Sequence, residues 1–185
     1  FKEPKLKIMG IEAVKSSTPA PCREKIKQAL KIIMIGDEKL LNKFIQEFRE
    51  EFMKLPPEDI AYPRSCNGVQ KFRGESQLFA KGAPIHVKGA ILYNHLVSKN
   101  KLENKYPLIQ EGDKIRFLHL RQPNSFQSSS FSFMTKVPKE LDIIGKIDYD
   151  MQYEKSFLEP LRVITDKLQW MLKNDEVGSL EDFFG

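Results

Sequence analysis

Three histidines, two cysteines and a few paired carboxylates are the residues of this chain best suited to catalysis or metal binding. Their spacing supports neither. His86, His95 and His119 show no ligand-like pairing with one another or with Cys22 and Cys66, so no metal site is expected. The cysteines lie far apart and form no CxxC pair or disulfide framework, which makes reduced cytoplasmic thiols the expectation. Glu50/Glu51 and Asp148/Asp150 could act as general acid and base, but both pairs fall in acidic helical stretches, where solvent exposure is the simpler account. There is no Gly-rich phosphate loop and no Gly-x-Ser-x-Gly elbow. Self-contained catalysis is therefore not expected.

Binding chemistry is better represented. Lys15-Ser16-Ser17-Thr18 places a cation and three hydroxyls at a helix start, where free backbone amides already favour a phosphate. The same hydroxyls serve equally well as caps. A second group, Arg64, Ser65, Asn67, Lys71, Arg73, His86 and Lys88, interleaves cations with short polar donors in loops, a chemistry that grips backbone rather than reads bases. Charge is segregated to match: residues 1 to 35 carry eight Lys/Arg against three acids and residues 61 to 101 seven against one, whereas residues 148 to 185 carry four against nine. Within a net charge of only +5, this is the footprint of a surface that faces a polyanion on one side, although solvated basic faces account for the charge alone equally well. Few Arg or Asn residues are placed to read bases and no array of aromatics is placed to stack on them. The expected mode is sequence-independent duplex binding with a strong salt dependence.

The elements that position these groups can be read from apolar spacing. Ser17-Thr18-Pro19 predicts a helix start, with Thr18 as cap and the proline in the first turn. Ile26, Leu30 and Ile33 give the first stripe, Gly36-Asp37 a stop and a new cap, and Leu40, Leu41, Phe44, Ile45, Phe48 and Phe52 a second stripe. This is a helical hairpin closed by Pro56-Pro57. Residues 59 to 82 break into turns around short strands. Pro84-Ile85-His86-Val87 leads into a helix over 89–102, and Lys114 to Leu120 alternates as a half-buried strand does, with Glu111-Gly112-Asp113 turning into it. Ser128 to Phe133 is Ser-rich, but Phe131 and Phe133 two apart make it a short strand. After Pro138, residues 141–144 and then Tyr149, Tyr153, Phe157, Leu161, Ile164, Leu168 and Met171 predict helix, kinked or broken at Pro160. The fold class is α+β: a helical hairpin and C-terminal helices with a small antiparallel β element. The length suits one folded unit with a tail, no apolar run is long enough to span a bilayer, and an opening on Phe1 without an initiator methionine suggests that something upstream is absent.

Lys5-Leu6-Lys7-Ile8-Met9-Gly10-Ile11-Glu12, continuing through Lys15-Ser16-Ser17-Thr18-Pro19, resembles the palm-to-thumb junction of T-even-type phage family B DNA polymerases. The likeness continues in order through Pro84-Ile85-His86-Val87-Lys88-Gly89, Tyr93-Asn94, Glu111-Gly112-Asp113-Lys114, Asp148-Tyr149 and Glu154-Lys155-Ser156-Phe157-Leu158-Glu159-Pro160-Leu161. The resemblance implies a junction over 1–18, a thumb over 19–173 that holds primer-template duplex through phosphates, and a clamp-binding tail over 174–185. Lys5, Lys7, Lys15, Ser16 and Ser17 would steady the primer strand at the junction, and Arg64, Asn67, Lys71, His86 and Lys88 would be the thumb's grip. The family's metal-binding aspartates and its exonuclease lie upstream and are not in this sequence. The resemblance therefore implies part of a nucleotidyltransferase that is inactive alone, with no cofactor of its own and Mg2+ belonging to the palm. It also implies work in the cytoplasm of an infected bacterium, beside the palm-containing part of the polymerase.

Ser179-Leu180-Glu181-Asp182-Phe183-Phe184 resembles the peptide by which these polymerases hook their sliding clamp. Leu180, Phe183 and Phe184 would fill an apolar pocket, while Val177 stands where such peptides often carry Gln. A fold-back of the Phe pair onto the chain's own core is the alternative for the tail. For the whole chain, the alternatives are a stand-alone, non-sequence-specific DNA-binding module and a scaffold for acidic proteins.

Overall fold

The structure is a computed structural model that describes residues 17–174, with side chains over 17–166. Its elements run α1 (Ala20–Ile35), α2 (Glu38–Phe52), α3 (Pro57–Ile60), β1 (Tyr62–Ser65), α4 (Ile85–Lys99), β2 (Lys114–His119), β3 (Ser130–Phe133), α5 (Tyr149–Tyr153), a π turn (Glu154–Leu158) and α6 (Glu159–Asn174). This is an α+β chain, as its periodicity predicts. Its described residues divide into two compact units rather than the single one its length suggests: 17–55 with 153–174, and 56–152. The apolar stripes of the hairpin find their partners beyond residue 152, while the segment between closes on a sheet of its own.

In the first unit, α1 buries Cys22, Ile26, Ala29, Leu30 and Ile33. Thr18 is not its cap. Pro19 occupies that position with no side-chain cap bond, and Pro21 in the first turn has no N–H that needs one. Gly36 ends the helix at φ 80°, a left-handed turn that glycine adopts without strain, and the Asp37 carboxylate accepts from the Leu40 amide at 2.9 Å to start α2. The second stripe is covered only toward its C-terminal end. Phe48 and Phe52 are buried, Phe44 and Ile45 half-buried, and Leu40 exposed.

The core of this unit is aromatic. Phe157 meets Phe48 edge-on at 4.8 Å, Tyr153 meets Phe52 at 5.2 Å, and the Tyr153 hydroxyl donates to the Ile45 carbonyl at 2.7 Å. Burial raises the Tyr153 phenol above its usual range, so it stays a neutral donor. Burial likewise pushes the Cys22 thiol up to about 11, against the effect of the Ser156 hydroxyl beside it. Pro160 has no N–H for the carbonyl four residues back. The backbone widens into the π turn just before it, which is the form the expected kink takes. Residues 141–144 form no α-helix: two 3-10 turns, Lys139–Leu141 and Ile144–Lys146, flank Asp142, which stands at φ 53°.

The second unit is built on a three-stranded antiparallel sheet in the order β1-β2-β3, with Tyr62 opposite Phe117 and Arg116 opposite Phe133. Pro63 in β1 is tolerated because β1 is an edge strand. α4 lies against β3. The Ser130 hydroxyl donates to the Ile85 carbonyl at 2.7 Å and the Ser132 hydroxyl to the His86 carbonyl at 2.8 Å. Gly89 makes this approach possible, since a Cβ there would stand 2.4 Å from Ser132 Oγ and 2.7 Å from its backbone N. α4 consequently begins at Ile85 rather than Gly89, with Pro84 as its N-cap. Gln152 is fully buried and satisfied at both ends of its amide: Nε2 donates to the Ile60 carbonyl and Oε1 accepts from the His119 amide, each at 2.8 Å.

The loop after β1 is anchored by residues more than forty positions away. Cys66 N–H donates to the Asp113 carbonyl at 2.8 Å and Gly112 N–H to the Cys66 carbonyl at 2.7 Å. The Glu111 carboxylate accepts from the amides of Gly68 (2.9 Å) and Gln70 (3.0 Å). Those two amides hold the Glu111 carboxyl below its usual range. Burial, then the negative charges of Glu111 and Asp113, push the Cys66 thiol up to about 11.

Gly89→Ala should lower stability by about 1–3 kcal/mol, because overpacking at the helix–strand contact outweighs the roughly 1 kcal/mol that alanine gains in a helix. The urea midpoint of unfolding reads this directly. Because the folded Glu111 carboxyl is depressed, its contribution is complete above the ordinary value of 4.5 and is lost as pH falls through its lower folded value. Protection of the Gly68 and Gln70 amides against exchange, taken relative to the intrinsic rate at each pH, should fall over that acidic window, and Glu111→Ala should remove it already at neutral pH.

Candidate nucleic-acid interface

Of the residues expected at the junction, Lys5, Lys7, Lys15 and Ser16 lie outside the described residues, as do Leu180, Phe183 and Phe184 of the tail. Ser17 is described, half-buried in the turn before α1. The five residues expected in the grip all belong to the second unit.

Arg64 and His86 are brought together by the sheet. Arg64 stands on β1 with its guanidinium 5.5 Å from the Phe117 ring centroid and 5.9 Å from that of Tyr62, and it donates to the Pro63 carbonyl at 2.8 Å. Tyr62 stacks on Phe117 at 4.9 Å, and His86, in the first turn of α4, lies 6.4 Å from the same Phe117 ring. The platform exists because the strand register sets Tyr62 opposite Phe117. His86 is held below its ordinary value of 6.5, mainly by burial and then by the charge of Arg64, while a hydrogen bond to the Ser65 backbone works the other way. At neutral pH its ring is therefore uncharged, and the fixed positive charge of this corner is that of Arg64.

Lys88 follows on α4, half-buried, and Asn67 and Lys71 are exposed on the loop that Glu111 pins. Lys71 Nζ sits 5.2 Å over the Phe72 ring. None of the Asn67, Lys71 and Lys88 side chains forms a hydrogen bond or ion pair among the described residues, so their polar groups are open to a ligand. A loop whose backbone is tied down presents such donors with little ordering left to be done on binding.

Sequence reasoning overlooked the residues that hold this surface in place. Glu111 reads in the sequence as part of a turn, yet it is the clip of the 66–71 loop. Asn94 reads as one polar residue on a helix, yet its side chain donates to the Ile109 carbonyl at 2.9 Å and accepts from the Ile109 amide at 2.8 Å. The only local signal is a carboxylate set directly before a Gly-Asp turn. Among the described residues no three His, Cys, Asp or Glu side chains gather as a metal site requires, and no helix is long and apolar enough to cross a membrane.

No protein-family model matches the sequence. Two curated phage proteins do. The chain is 29% identical over 189 aligned positions to the DNA-directed DNA polymerase of Enterobacteria phage T4 and 31% identical over 189 to that of Escherichia phage RB69. Both alignments cover all of this chain and 20% of the relative, so the chain spans about a fifth of the length of the proteins it matches. The ordered landmarks and the end-to-end alignment agree: this chain is similar along its whole length to a C-terminal part of the T-even-type phage DNA polymerases.

Proposed function

We propose that this chain is the thumb of a family B phage DNA polymerase, gripping primer-template duplex through its phosphates while other parts of the protein perform nucleotidyl transfer. The observation that carries the reading is the whole-length similarity to DNA-directed DNA polymerases. It is supported by a pinned surface whose donors Arg64, Asn67, Lys71 and Lys88 suit phosphate rather than base edges. His86 contributes a neutral ring that packs beside Arg64.

In this reading residues 1–18 form the junction to the palm, with Lys5, Lys7, Lys15, Ser16 and Ser17 along the primer strand. Residues 19–173 are the thumb. Residues 174–185 tether a sliding clamp through Leu180, Phe183 and Phe184. The chain alone is inactive, since the Mg2+-binding carboxylates of such a polymerase belong to its palm, and the complete enzyme works in the cytoplasm of the infected bacterium. Non-specific grip follows from the chemistry: each cation on a phosphate releases counterions whatever the sequence, and affinity falls as salt rises.

Duplex affinity measured across a salt series should fall steeply. Lys71→Ala and Lys88→Ala should each weaken binding for all sequences and reduce the logarithmic slope by about one, the contribution of one phosphate contact. An unchanged slope would remove that lysine from the interface. Truncation after Val177 should abolish retention on the clamp while leaving duplex affinity intact; joint loss of both would make the tail structural and end the tether reading.

A further inference from the structure

The second unit also contains a cleft of about 650 Å3 walled by α4, the loop after β1 and the segment before β2. Its volume falls in the range of small-molecule sites. All three walls are fixed. Asn94 bonds the Ile109 backbone in both directions, Glu111 holds the Gly68 and Gln70 amides, and the 74–78 turn is too tight for any side chain at Gly74, where a Cβ would stand 1.9 Å from the Gln77 carbonyl oxygen.

Leu78, Ile91 and Leu108 give the cleft aliphatic walls, and Gln70, Gln77 and Gln110 give it three primary amides. His95 and Ser98 of α4 complete the polar lining. None of these polar side chains, nor that of Arg73, has a hydrogen-bond or ion-pair partner among the described residues. Two lining residues carry a fixed charge. They are Arg73 and Glu111, whose charges offset; the Glu111 carboxylate lies on the Gly68 and Gln70 amides, whereas the Arg73 guanidinium is without such a partner among the described residues and is the group that can pair with a phosphate. A carboxamide presents a donor and an acceptor in one plane, the pattern that a nucleobase edge presents in return.

We propose that this cleft binds one unpaired nucleotide, either free or at the end of a strand, with its phosphate on Arg73. Its base lies between the aliphatic walls with its edge on the glutamine amides. The site is separate from the duplex grip assigned to Lys71 and Lys88, and each assignment can fail without the other.

The test is an NMR titration of the full chain with nucleoside 5′-monophosphates, the parent nucleosides and inorganic phosphate. Parallel arms use a blunt duplex and the same duplex with an unpaired terminal nucleotide. Monophosphates should shift the Gln70, Gln77 and His95 amides and bind about tenfold or more tighter than nucleosides or phosphate alone, the worth of one charge-assisted contact. Arg73→Ala should erase that advantage. Gln77→Ala should weaken monophosphate binding severalfold while blunt-duplex affinity stays unchanged. Tighter binding of the frayed duplex than of the blunt one, with shifts at the same amides, identifies a strand end as the source; shifts with monophosphate alone identify a free nucleotide. No shift at these amides at millimolar nucleotide, or inorganic phosphate binding as tightly as the nucleotides, overturns the proposal.

Discussion

The second unit depends on one close approach, that of the α4 backbone at Gly89 to β3 at Ser132. No side chain fits between them, so helix and strand are held at backbone distance and the two β3 serines reach the Ile85 and His86 carbonyls. That contact decides where α4 starts and hence where His86 and Lys88 stand. Because β3 pairs with β2 and β2 with β1, the same contact sets the helix over the Phe117 platform that carries Arg64. Gln152 secures the opposite side of the arrangement by joining α3 to the end of β2 through one buried amide. A buried amide satisfied at both ends resists displacement, since moving either partner strands a polar group out of water.

Acidic side chains of this unit are largely spent on its own framework. Glu111 accepts two backbone amides, and Glu140 accepts from Lys105 and the Tyr106 hydroxyl, which hold its carboxyl down to about 2. Glu58 receives the Val137 amide. Meanwhile Asn67, Lys71, Arg73 and Lys88 keep uncommitted polar ends. The carboxylates named here are thus engaged by backbone amides or by Lys105, while these groups of the basic 61–101 segment have no such partner among the described residues.

Much of the frame was legible in the sequence because it is local. The Gly36-Asp37 break, the alternation at Lys114 to Leu120 and the phenylalanines two apart after Ser128 each carry their own conformational reason, and each marks the expected element. What escaped was set by distant residues. Thr18 lost its capping role to the prolines that follow it, and the start of α4 moved four residues earlier because β3 serines hold its first turn. Leu40 and Leu41 belong to an apolar stripe, but nothing local tells how far the neighbouring helices cover it. The candidate surface was legible as a set of residue types, not as a place. Arg64 and His86 meet only through the Tyr62–Phe117 register, and the Glu111 clip spans more than forty residues, which no spacing rule encodes.

The first unit is discontinuous in sequence, and this orders events as the chain leaves the ribosome. Phe48 and Phe52 emerge about a hundred residues before Tyr153 and Phe157, the rings they pack against, and the Tyr153–Ile45 bond joins residues 108 positions apart. Residues 56–152 are continuous and form their own sheet, so they can close first, domain by domain. Until Tyr153 and Phe157 arrive, the hairpin's aromatic face lacks the rings it packs against, so the first unit's core can close only after the last of its elements has been made.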